Sequence, residues 1–194
     1  MAYRIKQHNG SFHITDNLDN SEVGSSPVST VSAKHVQLGP LCITTLTLDN
    51  VAQAVVNGTE YQGTKIYDFP AGRISVLGVT ATLQQKTTSA IASTLNSGVT
   101  GAIALGTATA SNVSLTSTMV DLLPSTAFAS STTINVAGTA VSAALAAAAQ
   151  FDGTSTAKDV YLNTAYATTT DVDGNATQTI SGTVVISWLN LGDY

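Results

Sequence analysis

Charged side chains are scarce in this chain of 194 residues. Seven Lys and Arg and twelve Asp and Glu make up only 10% of it, where an average soluble domain carries roughly 25%. The seven cations stand singly and the net charge is −5, so no basic run exists to neutralise phosphates, which argues against a nucleic-acid partner. Cysteine occurs once, at Cys42, and this excludes an intrachain disulfide. Within the apolar run Leu41-Cys42-Ile43 it reads as a small buried hydrophobe rather than a reactive thiol. Long apolar runs are missing as well. No segment approaches the roughly 18 residues of a membrane-spanning helix. The start, MAYRIKQHNGSFHITDN, has no apolar stretch of the signal-peptide kind. The expectation is a chain with neither a membrane partner nor an export signal.

In place of charge there is hydroxyl: 30 Thr and 20 Ser, alongside 26 Ala. Threonine suits a half-exposed strand, because its branched carbon fits the pleat while its hydroxyl faces water. A surface of small, uncharged side chains also costs little to desolvate, which favours standing protein–protein contacts. Composition alone points to an all-β interaction protein.

Residues 1–40 read as an extended N-terminal arm, ahead of a β-sandwich domain over 41–194. The stretch NLDNSEVGSSPVSTVS, Asn17 to Ser32, is polar and without sustained periodicity. Apolar residues occur there as isolated anchors: Tyr3, Ile5, Phe12, Ile14, Val36 and Leu38. Such a segment is either a free terminus or one that orders on a neighbouring subunit through those anchors. From residue 41 strands dominate. LCITTLTL ends at Asp49-Asn50, and VAQAVVNGTEY follows with an Asn57-Gly58 turn signal. RISVLGVTATL places Leu77, Val79, Ala81 and Leu83 on one face, with Ile74 and Val76 on the other. The middle, Thr87 to Thr139, predicts two or three short strands. AVSAALAAAAQ, Ala140 to Gln150, has the composition of a short helix, though a close-packed strand or a loop fits it too.

The stretch TTTDVDGNATQT, Thr168 to Thr179, resembles a calcium loop at first sight. Counted from Asp171, Asp173 and Asn175 fall at the third and fifth positions of an EF-hand loop. The sixth, which requires glycine, is Ala176, and the twelfth, which requires glutamate, is Gly182. The calcium reading fails on its ligands. A three-residue hairpin turn at Val172-Asp173-Gly174 accounts for the stretch better. Its register sets Tyr166 opposite Ile180, Leu162 opposite Val184 and Val160 opposite Ile186 on one face, and Asn163 opposite Thr183 on the other. A second sheet must then cover the apolar face. Trp188 alternates with Ile186 and Val184, which assigns it to the buried face.

Catalytic patterns are absent. No nucleophile elbow, phosphate loop, zinc-protease helix or paired-cysteine motif occurs. His8, His13 and His35 all fall in the arm, where nothing would hold one against a nucleophile, and they read as surface polar residues. Asp152 and Asp159 flank the loop FDGTSTAKD, where turn formation explains them. The chain is expected to be no enzyme, with no catalytic residue, no metal and no cofactor.

Four stretches taken in order carry a resemblance: YDFPAGRISVLGVTATL at 67–83, ALGTATAS at 104–111, FDGTSTAKDVYLN at 151–163 and SGTVVISWLNLGDY at 181–194. Together the chain resembles the head decoration, or cement, proteins of tailed bacteriophages, over about its last two-thirds. That resemblance implies a jelly-roll-like antiparallel β-sandwich on the outer capsid surface, made in the host cytoplasm. It implies the major capsid protein as partner, a homo-oligomer with trimer favoured over dimer, and a role in bridging capsid subunits. Another virion component (tail, head–tail or fibre) is the nearest rival. A fibre would show repeats or heptads, which are missing. An adhesin would need an export signal, and a glycan-binding module would use more aromatics than this chain's 6%.

Overall fold

The computed structural model describes residues 3–8, 11–15, 23–86, 100–129, 133–137, 150–166 and 174–192. Among these residues there are twelve strands. They are β1 (Tyr3–His8), β2 (Ser11–Thr15), β3 (Val31–Leu38), β4 (Leu41–Val55), β5 (Tyr61–Asp68), β6 (Arg73–Lys86), β7 (Thr100–Gly106), β8 (Leu123–Ala129), β9 (Thr133–Ala137), β10 (Gln150–Asp152), β11 (Asp159–Tyr166) and β12 (Ala176–Asn190). Eight form a larger sheet in the order β10-β6-β12-β4-β3-β1-β2, with β9 sharing the free side of β6 with β10. The other four form a smaller sheet, β5-β11-β7-β8. All described pairings are antiparallel except β1 on β3. The two sheets face each other as the expected β-sandwich.

The hydrophobic pattern dictates this closure. Alternation on β12 turns Ile180, Val184, Ile186 and Trp188 to one side, and they meet Ile66 and Tyr67 of β5, Ile103 and Leu105 of β7, and Val160, Leu162 and Tyr166 of β11. All are buried. At roughly 1.5–3 kcal/mol per large side chain, this shared layer is the main term holding the sheets together. Cys42, in the same layer, is buried as expected.

The hairpin expected between Val160 and Ile186 does not form. β11 pairs with β5 and β7 in the smaller sheet, whereas β12 pairs with β4 and β6 in the larger. The six residues assigned to one face are all buried, but they oppose one another across the core instead of lying side by side. Asn163 consequently faces away from Thr183, whose register partners are Thr47 and Thr82. Residues 167–173, which carry most of the turn, lie outside the described residues, as does most of the Ala-rich stretch from Ala140. Gln150, its last residue, opens β10.

Two neighbours of β12 each carry one extra residue, and this explains two further departures. β4 runs straight through Asp49-Asn50, where a strand end was expected, because these two residues bulge opposite Ser181. Asn50 takes a positive φ of 54° and donates its N–H to Ser181 Oγ at 2.9 Å. The inward set therefore switches phase from Cys42, Thr44, Leu46 and Leu48 to Val51, Gln53 and Val55. Beside the bulge Gly182 has φ +141°, and a Cβ there would sit 2.1 Å from the Thr82 carbonyl oxygen, so no other residue fits. β6 bulges at Leu77, between the pairs Trp188↔Val76 and Ser187↔Gly78. Ile74 and Val76 thus share the inner face with Val79, Ala81 and Leu83, while Leu77 turns outward and is 41% exposed.

β3 comes from the stretch expected as arm. It pairs with β4 along its whole length, from Val31↔Leu48 to Leu38↔Leu41, and buries Val31, His35 and Gln37. Upstream, Val23 is buried as well, and Ser25 and Asp68 exchange backbone hydrogen bonds. The β3–β4 turn at Gly39-Pro40 thus lies at the boundary expected between arm and domain.

Candidate functional site

The six anchors occupy three adjacent strands of the larger sheet. The register sets Tyr3 against Val36 and Ile5 against Leu38, then Ile14 against Ile5 and Phe12 against Gln7. Val36 is half-buried and Leu38 is 42% exposed, on the face turned away from the smaller sheet. From there the outer face continues in register through Leu41 and Ile43 of β4 and Leu189 of β12. Leu77 adjoins the second row at Gly78. Farther along the strands the same face turns to hydroxyl: Ser32, Thr47, Thr183 and Thr82 form one row. This half-apolar outer face, poor in charge, is the candidate contact surface.

The smaller sheet is treated differently, for the chain covers its outer face itself. Residues 107–122 fold over it and bury Ala110, Leu115 and Met119 against Ala104 and Ala165. Asn163 pins this cover. Its Oδ1 accepts the Ala110 N–H at 2.9 Å, and its Nδ2 donates to the carbonyls of Ala108 (2.9 Å) and Met119 (2.8 Å). Gly63 and Gly106 permit the close approach, since a Cβ at either would lie within 2.3 Å of loop atoms. Asp121 closes the loop by accepting the Thr107 N–H (2.8 Å) and hydroxyl (2.6 Å). Asn163→Ala would strand three loop backbone groups, of which water re-satisfies some. The expected loss is about 2 kcal/mol in urea unfolding, with faster proteolysis within 107–122. An unchanged cleavage rate would show that Asn163 does not hold the cover.

The titratable groups gather in two places. On the smaller sheet Asp159 stands opposite Asp68. Lys65 pairs with Asp68 at 2.8 Å and with Asp159 at 3.6 Å, and Tyr161 donates to Asp159 at 3.0 Å. Partial burial, then the neighbouring Asp68 carboxyl, raises the Asp159 pKa. The hydrogen bond from Lys65 to Asp68 raises that of the lysine. The single ammonium, set between two adjacent carboxylates, offsets one of their two charges. Among the described residues no group of three or more His, Cys, Asp and Glu is placed to hold a metal ion. Asp152 makes the turn expected of it, accepting the Thr154 N–H at 3.1 Å and hydroxyl at 2.6 Å.

The second place is the core. His35, read from the sequence as a surface residue, is 4% exposed. Trp188 Nε1 donates to Thr44 Oγ1 at 3.0 Å, and Thr44 Oγ1 lies 3.0 Å from His35 Nδ1. Tyr67 donates its hydroxyl proton to the Val23 carbonyl. Indole N–H only donates, so Thr44 Oγ1 accepts from Trp188 and also meets His35 Nδ1 and the Tyr67 hydroxyl, the latter at 3.4 Å, around a neutral imidazole. Burial pushes its pKa down from 6.5 to about 4. The alternation Val31, Ala33, His35, Gln37 was the available signal for this inward position. At the other end of the core, Gln53, Gln85 and Gln178 come from three adjacent strands and meet Thr164 and Tyr166 of β11. Gln53 donates to the Leu162 carbonyl (2.8 Å), Thr164 to Gln53 (2.7 Å), Gln178 to Thr164 (3.1 Å) and Gln85 to Tyr166 (3.1 Å).

No protein family and no curated protein matches the chain. Among solved structures, two of infectious bursal disease virus are similar, from the Gx strain at 9% identity and the Gt strain at 11%, each with a TM-score of 0.28. Each likeness covers 98% of this chain and 38% of the viral chain. At that TM-score it carries no argument about what this chain does.

Proposed function

We propose that the chain is a structural virion protein that binds the outer face of a phage capsid and stabilises it by bridging neighbouring subunits of the major capsid protein. One observation carries this reading: the chain covers the outer face of its smaller sheet with its own loop, whereas among the described residues none folds over the half-apolar outer face of the larger one. That face begins at the strands holding Tyr3, Ile5, Phe12, Ile14, Val36 and Leu38. Low charge and the likeness of four segments to decoration proteins support it. On this reading the protein is a homo-oligomer without catalytic chemistry, and shape and contact area are its whole function.

The test mixes the protein with expanded, undecorated phage heads and follows particle size by light scattering and particle melting by calorimetry. Saturable binding with a rise in the melting temperature is expected, because a ligand of the folded shell stabilises it by mass action. A well-behaved protein that ignores the heads would overturn the reading in favour of a tail, fibre or glycan-binding role.

A further inference from the structure

We propose that in the free protein the outer face of the larger sheet is a two-fold contact with a second copy of this chain, given up when that face meets the shell, and built on a knob and a groove at opposite ends of one residue row. The row is read directly from the pairing: Leu38 on β3, Leu41 on β4, Leu189 on β12 and Ser75 on β6. At one end Leu38 stands 42% exposed. At the other the row runs into an open groove of about 240 Å³ lined by Arg73, Ile74, Ser75, Phe151, Asp152 and Leu191. Leu191 on its wall is 46% exposed, the highest among the large apolar residues of the described chain.

A two-fold axis lying along the strands, between β4 and β12, exchanges the two ends. It seats Leu38 of each copy over the Ser75 groove of the other. The second row obeys the same operation. Val36, Ile43 and Ser187 lead to Gly78 and the outward Leu77 beside it, so Leu77 meets Val36 of the second copy. Charge agrees with this occupant. In the third row Lys34 pairs through Thr45 and Val185 to Thr80, so the operation sets each lysine against a threonine rather than against its own copy. At the groove Arg73 is already matched by Asp152 at 3.6 Å. A surface whose protrusion and recess exchange under rotation is self-complementary, as an isologous interface requires.

The size of the contact sets its strength. The overlap runs from β10 to β1, six strands at ~4.8 Å spacing, or about 24 Å across. Three rows along the strands give a patch on the order of 500 Å² in plan. That falls below the ~800 Å² each partner contributes to a standard interface, so the dimer should be weak and dependent on concentration.

Sedimentation velocity of the full chain across concentrations tests this, with circular dichroism and the melting midpoint as controls for folding. The wild type should pass from monomer to dimer. Leu38→Asp and Ser75→Arg should each weaken self-association by at least about tenfold. An equimolar mixture of the two variants should recover a heterodimer. One of its contacts then sets the introduced carboxylate against the introduced guanidinium, and the other is wild type. Should Leu38→Asp fail to fold, Ser75→Arg alone still tests the groove. A wild type monomeric at roughly 100 µM, a trimer, or association indifferent to both variants would overturn the proposal. So would variants that lose head binding while still self-associating, because the face would then belong to the shell and the proposed function would stand.

Discussion

Replacing Trp188 by alanine should cost about 4 kcal/mol of folding stability, within the range of large aromatic truncations in cores. Trp188 is fully buried and packs edge-on against Phe69 at 5.4 Å between ring centroids. Phe69 in turn meets Tyr67 at 5.2 Å and Phe151 at 5.3 Å, so the cavity would open beside Phe69, the hub of an aromatic cluster joining both sheets. The substitution also takes from Thr44 the indole hydrogen bond it accepts at 3.0 Å. Trp188→Phe keeps most of the ring area and loses that bond, so about 2 kcal/mol is expected. Urea unfolding measures both. Near-equal losses for the two variants would show that the hydrogen bond, not packing, dominates at this position.

The second large effect is acid sensitivity through His35. Its folded-state pKa of about 4 lies below the ordinary 6.5, so its contribution is fully present above pH 6.5. As pH falls from 6.5 towards 4 the unfolded chain takes up a proton that the folded chain refuses, and stability is lost. The difference amounts to about 3 kcal/mol. Among the described residues the groups that face His35 are neutral: Thr44 on β4, Tyr67 on β5, whose pKa burial raises, and Trp188 on β12. Asp121 acts with the opposite sign. Burial raises its pKa, so its protonation favours the folded state as pH falls and offsets part of the loss. Denaturation midpoints from pH 7 to pH 4 for wild type and His35→Gln separate the two groups. The wild type should lose stability more steeply, and parallel curves would clear His35 of any role.

The same residue shows how far the sequence could be read. Alternation places a side chain inside or outside, and on that count Val160, Leu162, Tyr166, Ile180, Val184, Ile186 and Trp188 were all assigned correctly. It does not distinguish two strands that face each other across a core from two that lie side by side, since both present one apolar face. The β11–β12 pairing was lost for that reason. Bulges limit the reading in another way. One extra residue at Asn50 or Leu77 inverts the phase beyond it, so Asp49-Asn50 looked like a strand end and Ile74 fell on the face opposite Val79. Asn163 was opaque for a third reason: its partners are backbone groups of Ala108, Ala110 and Met119 in an irregular loop. The contact face was half legible. Val36 and Leu38 stood out as apolar anchors, but only the register shows that their row continues to Ser75 and its groove.

The unequal attachment of the outer strands has a mechanical consequence. β1 meets β3 through three residue pairs, whereas β4 and β12 share thirteen. Tension entering at the N-terminal hairpin loads those three pairs first, and they part before the long central pairing bears any strain. The β1–β3 seam is therefore the expected first point of opening, and faster hydrogen exchange in β1 than in β4 and β12 would show it.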